Sequence, residues 1–124
     1  MHSDDFIRTF LSGYIKKPFL SIVIPIYNNE AVLSDTLWSL LNQTMSNIEI
    51  ICVDDGSTDG SPDILREMAA LDHRIRILKT PRLGLRSASR RGIDLAHSDL
   101  RVTLRPGKVL GKNACMRYYF RVGP

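Results

Sequence analysis

Cysteine is scarce in this chain: Cys52 and Cys115 are the two in 124 residues. They form no C-x-x-C pair and have no histidine cluster beside them, which excludes a disulfide framework and a zinc site. No apolar run approaches the ~20 residues of a membrane span. Residues 6–15 are too short and too interrupted for a secretory signal, so the expected setting is cytoplasmic and reducing. Internal repeats and low-complexity tracts are missing as well. Acid is missing from one end: all 13 Asp and Glu lie at or before Asp99, and Arg101, Arg105, Lys108, Lys112, Arg117 and Arg121 follow it. A segment of that kind can attract phosphates or an anionic surface, although a solvated or disordered tail is the plainer reading.

What is present is the composition of a globular chain, 44% hydrophobic and 24% charged, with length for one domain. Its central stretch is residues 48–61, I-E-I-I-C-V-D-D-G-S-T-D-G-S. Strand-forming residues run into Asp54 and Asp55, and Gly56 with the small hydroxyl residues then breaks the strand. A second apolar run, residues 20–26, ends in Tyr27-Asn28-Asn29-Glu30. In open α/β sheets, ligands bind outside the carboxyl ends of the strands.

In chain order, residues 1–17 are a leader with a short helix expected over 4–11. The first strand is expected at 20–26, with Pro25 tolerable only where its missing N–H has no ladder partner. Leu33, Leu37, Leu40 and Leu41, widened by Val32 and Trp38, predict a helix over 30–43 capped by Asn28 or Asn29. The second strand is 48–53. The next helix starts near Ser61 with Pro62 at its first position and buries Ile64, Leu65, Met68, Ala69 and Leu71. A third strand is expected at 74–79, a third helix at 85–96 with Ala88 and Gly92 inward, and a fourth strand at 100–104. Residues 105–124 show no clear period. The alternation predicts a three-layer α/β/α fold with a mainly parallel sheet.

Asp54 and Asp55 are open to more than one reading. Acids after a strand commonly just make a turn and cap the next helix. Here they precede Gly56, where a ligand can approach the backbone, and a helix N-terminus that favours anions. The spacing Asp55-x-Ser57-x-Asp59-Gly60 copies half of a calcium loop, but the twelfth position is Arg66 and the preceding element is a strand. A dinucleotide fingerprint fails because no G-x-G-x-x-G follows the first strand.

Taken together, residues 18–61, with P-F-L-S-I-V-I-P-I-Y-N-N-E, then L-x-S-L-L-N-Q-T, then the D-D-G-S stretch, resemble the inverting family 2 glycosyltransferases. The likeness extends over residues 18–104, the nucleotide-sugar-binding half of the family's GT-A type domain, with 105–124 a basic C-terminal tail. It implies a truncated GT-A fold and binding of a nucleotide-diphospho-sugar, most readily of UDP type. It places Pro25, Tyr27 and Glu30 around the nucleotide. Tyr27 would flank the base, Asp55 would hydrogen-bond it, and Asp54 would support the loop with Gly56. The family segment G-L-x-x-A-R-N-x-G stands here as G-L-R-S-A-S-R-R-G, so Arg86, Arg90 or Arg91 would meet a phosphate.

Where the family's Asp-x-Asp motif would hold Mn or Mg, this chain has Arg105-Pro106-Gly107-Lys108. Carboxylate oxygens are what such ions require, so the family's metal cofactor is doubtful here. No catalytic residue is assigned; Arg105 and Lys108 would neutralise the diphosphate in the metal's stead. Catalysis is therefore expected to be incomplete in this chain. Two other readings stay open: a non-catalytic module self-associating through an exposed sheet edge, and a fragment of a split transferase gene. Nucleic acid is not an expected partner, and membrane contact by the basic tail is a minor alternative.

Overall fold

The computed structural model describes residues 17–123. The helix expected at 4–11 lies outside the described residues. The elements are β1 (Leu20–Ile26), α1 (Leu33–Leu41), β2 (Ile48–Asp54), α2 (Ser61–Leu71), β3 (Ile75–Lys79), α3 (Leu85–Leu95), β4 (Arg101–Thr103) and α4 (Ala114–Val122). The strands form one sheet in the order β3-β2-β1-β4, every pair parallel. Each parallel pair needs a helical crossover, which the alternating sequence supplies.

Both faces of β1 and β2 are covered, which is why these strands read as near-continuous apolar runs rather than alternating ones. On one face Leu20, Ile22, Ile24 and Ile26 of β1 and Ile48, Ile50 and Cys52 of β2 meet Leu33, Leu37, Leu40, Leu65, Met68 and Cys115. On the other, Val23, Ile51 and Val53 meet Ala88 and Ala96. The result is the expected three-layer α/β/α arrangement. Burial pushes the Cys52 thiol up to about 12 and the Cys115 thiol above its ordinary value. Both are core atoms and poor nucleophiles.

Three local expectations resolve on packing. Ser21 and Val23 pair towards β4, and the ladder on that side ends where Leu104 donates to the Val23 carbonyl. Pro25 faces the same side one step further, so its missing N–H costs nothing. Neither Asn28 nor Asn29 caps α1: the residue at the cap is Val32, with no side-chain hydrogen bond, and the Asn29 carbonyl closes the turn by accepting from Val32 and Leu33. Trp38 and Leu71 lie on solvent faces rather than in the apolar stripes, 46% and 67% exposed.

The larger departure is at the C-terminal end. Residues 105–123 are not a loose tail. Cys115, Met116, Tyr118 and Tyr119 of α4 pack on the main core, while Arg117 and Arg121 face out. The segment is held by the polar side of α1. Gly107 N donates to Thr36 Oγ1 (2.7 Å), Leu110 N to Ser39 Oγ (3.1 Å) and Cys115 N to Gln43 Oε1 (3.0 Å). Buried Gln43 also donates to the Gly111 carbonyl (2.7 Å), and Thr44 N to that of Lys112 (2.7 Å).

The lower edge of the sheet is tied by Glu49, whose carboxylate accepts from Ser21 Oγ (2.8 Å), Arg76 Nη1 (2.8 Å) and His97 N (2.9 Å) and pairs with His97 Nδ1 (2.5 Å). One side chain thus joins β2 to β1, to β3 and to the α3–β4 connection. Burial raises the Glu49 pKa, but the hydrogen bonds from His97, Ser21 and Arg76 outweigh it and leave it below the ordinary value. A depressed carboxyl stabilises the fold above its unfolded pKa, and that contribution is lost as pH falls through the folded pKa. Urea unfolding is therefore expected to show wild-type stability declining below about pH 4.5, with a shallower decline in Glu49→Gln, which should cost about 2 kcal/mol at neutral pH. At the opposite face α3 lies so close that a Cβ on Gly92 would stand 2.5 Å from Val23 Cγ1 and 2.9 Å from Val53 Cγ2. Gly92→Ala is expected to lower stability by about 1–3 kcal/mol in the same assay despite the better helix former.

Candidate functional site at the carboxyl ends of the strands

Three loops meet where β1, β2 and β3 end. The first, residues 27–32, is stitched to the second, residues 55–60, through side chains and backbone together. Asn28 sits in the left-handed region (φ 52°), a conformation asparagine tolerates. Its Oδ1 accepts from Thr58 N (2.8 Å) and Asp59 N (3.2 Å), and its own N–H donates to Ser57 Oγ (3.0 Å). Glu30 N donates to Asp59 Oδ2 (3.2 Å), and Gly60 N donates to Glu30 Oε2 (2.9 Å). These contacts use the polar groups that helix capping would have needed.

The third loop, residues 80–84, is organised by Asp55. Its carboxylate is 1% exposed as a residue and accepts four hydrogen bonds. Oδ1 receives Thr80 Oγ1 (2.8 Å) and Leu83 N (2.8 Å); Oδ2 receives Gly84 N (2.9 Å) and Arg82 Nη1 (2.6 Å). Burial alone would raise this carboxyl, but the bonds from Leu83, Thr80, Gly84 and Arg82 hold it below the usual carboxylate range. The Arg82 guanidinium also lies over the Tyr27 ring, 3.6 Å from its centroid. Gly56 (φ +79°) lies under the same loop; a Cβ there would come 3.1 Å from Arg82 N.

Tyr27, Glu30, Asp54, Asp55 and Gly56 are thus brought to one edge. Asp54, 4% exposed, receives Ser57 N at Oδ1 (3.1 Å) and shapes its own loop. Asp55 does more of the loop support than the sequence suggests, because all four of its acceptor positions are filled from within the chain. Pro25 is buried in β1 and presents no ligand surface. Arg86, in the first turn of α3, is exposed, as are Arg90 and Arg91. Arg105 lies past the end of β4 and is exposed too; the turn it opens rests on α1 through Gly107.

Nothing in the sequence singles out Thr80 or Arg82. A hydroxyl residue and a proline after a strand signal only a turn, and nothing local says that the guanidinium will find an aromatic ring from another loop. Residues 105–108 offer two cations, a proline and a glycine, and this set does not fit a divalent ion. Among the described residues no three His, Cys, Asp or Glu side chains cluster to hold one. Because all partners of Asp55 are donors, Asp55→Asn would point an amide N–H₂ at two of them. It is expected to lose about 2–3 kcal/mol in urea unfolding, with Asp55→Ala similar.

The chain is 41% identical over 85 residues to the putative glycosyltransferase EpsH of Bacillus subtilis, covering 68% of this chain and 25% of that one. It superposes on S. aureus TarS solved with UDP-GlcNAc at TM-score 0.75, with 20% identity over 85% of this chain and 30% of that one. A mannosyltransferase from Pyrobaculum calidifontis, solved with GDP-Man and Mn2+, gives TM-score 0.69 and 21% identity over 77% and 29% of the two chains. The chain spans about a quarter of the length of the curated relatives it matches. The family model for glycosyl transferase family 2 matches residues 21–104, so this chain belongs to glycosyl transferase family 2.

Proposed function

We propose that these residues bind a uridine-type nucleotide-diphospho-sugar and form the donor-binding half of a glycosyltransferase. The observation that carries the reading is Arg82 bridging Tyr27, a 39% exposed residue, and the Asp55 carboxylate at the mouth of parallel strands. The fold is shared with a transferase solved with UDP-GlcNAc. The ring offers a stacking face for the base, and a buried carboxylate accepts a base N–H. Arg86 at the start of α3, with Arg105 and Lys108 after β4, supplies positive charge for the diphosphate. That charge comes from the chain itself, so binding needs no divalent ion.

The same replacement separates binding from transfer. No group in the described residues is assigned as the base that would deprotonate an acceptor hydroxyl, and we read these 124 residues by themselves as a binding unit. Among the described residues no helix is long and apolar enough to cross a membrane. A nucleotide-sugar donor and two buried free thiols suit a cytoplasmic setting. Self-association through the β4 edge is less favoured, because β4 is only 3 residues long and a short edge templates pairing poorly.

Calorimetric titration of UDP, with and without manganese, tests the reading. UDP is expected to bind equally in both conditions. Tyr27→Ala should weaken it by roughly tenfold, the size of one lost base stack, and Arg105→Ala with Lys108→Ala should weaken UDP more than uridine. No release of UDP from a UDP-sugar is expected. Binding that requires manganese would show that other oxygen ligands hold a metal. UDP failing to bind both wild type and variants would leave fold and family intact and remove this function.

A further inference from the structure

We propose that Arg82 is an internal ligand of the base platform, so that a nucleotide binds only as the Arg82 side chain swings out. The proposal rests on the nucleotide reading above. A guanidinium is flat, carries N–H donors along its edge and stacks on aromatic faces. Those are the properties that a nucleobase would bring to the same place. Here the Arg82 guanidinium covers the Tyr27 ring at 3.6 Å and donates to Asp55 Oδ2 at 2.6 Å.

The four partners of Asp55 are not equivalent. Leu83 N and Gly84 N are main-chain donors fixed by the loop, and Thr80 is 6% exposed. Arg82 alone is a long side chain, 51% exposed, with water on its outer side. It can leave without unfolding anything. The main chain stays, because Gly56 packs under Arg82 N and Pro81 stiffens the turn before it. When the side chain turns away, Asp55 gains one free acceptor position beside an uncovered ring face.

This explains how Asp55 can be both a loop support and a base contact. Three of its bonds hold the loop permanently, and the fourth is exchangeable. It also makes Arg82 a determinant of specificity. A ligand must offer a planar face for Tyr27 and an N–H for Oδ2 to replace what Arg82 already supplies. Uracil, with a ring N–H between two carbonyls, meets both conditions; a sugar phosphate meets neither. The ion pair and the ring contact must both be given up, so the apparent affinity falls by the fraction of molecules with the platform open.

UDP is titrated into wild type, Arg82→Ala and Arg82→Lys by calorimetry, after circular dichroism has verified that each is folded. Arg82→Ala should bind on the order of tenfold tighter than wild type, as expected if about one molecule in ten is open. Arg82→Lys keeps the charge but not the plane and should fall between them. Equal or weaker binding by Arg82→Ala would overturn the proposal, since Arg82 would then be neutral or a helper of the ligand. If no variant binds UDP, the nucleotide reading fails separately, and methylguanidinium becomes the deciding probe. It should shift the Tyr27 ring resonances in Arg82→Ala and not in wild type; no shift in Arg82→Ala overturns the proposal.

Discussion

The upper edge of this molecule depends on one buried carboxylate. Asp55 stands at the end of β2, the second of two central strands, and takes four donors from residues 80–84. A charge this deep is tolerated only when its acceptor positions are filled. Filling them places the third loop against the first two, and Tyr27 consequently lies beneath Arg82. The geometry of the candidate site is therefore a by-product of satisfying a single group. A ligand that uses Asp55 has to take a place in an arrangement that is already complete.

A second constraint works at the other side of the sheet. In a helix of this length the inward stripe is apolar, yet Thr36 and Gln43, on α1 or just past its end, are buried polar residues. Ser39 and Thr44 continue the same polar line. They read the backbone of residues 107–115 and satisfy groups that an irregular segment would otherwise leave unpaired. This is what turns the acid-free end of the chain into a packed layer over β1 and β4. Its cations remain on the outside, and Arg105 and Lys108 come from the same edge as the strand ends.

The relation to the family follows from these two constraints. The fold is shared with solved structures at about 20% identity. At the end of β4 this chain carries Arg105 and Lys108, whose exposed side chains set the charge there without disturbing the sheet.

How much of this was legible in sequence depends on the range of the interactions. The four parallel strands, their helices and the two-sided burial of β1 and β2 follow from apolar periodicity and from turn residues, which act over a few positions. The small residues Ala88 and Gly92 likewise foretold a helix pressed close to a sheet. Even α4 left a trace, since Cys115, Tyr118 and Tyr119 recur at helical spacing; the glycine- and proline-broken run before it obscured that signal. The sequence by itself also determined that Tyr27, Asp54 and Asp55 would share one edge, because each follows a strand of the same parallel sheet. Only the tertiary structure decided what those groups touch. Asn28 turned to a neighbouring loop instead of capping its helix, Asp55 took on the 80–84 loop, and Arg82 found Tyr27 across 55 positions of chain. Hydrogen bonds and ring contacts of that kind are chosen by which loops the fold brings together, and no local pattern in the chain encodes that choice.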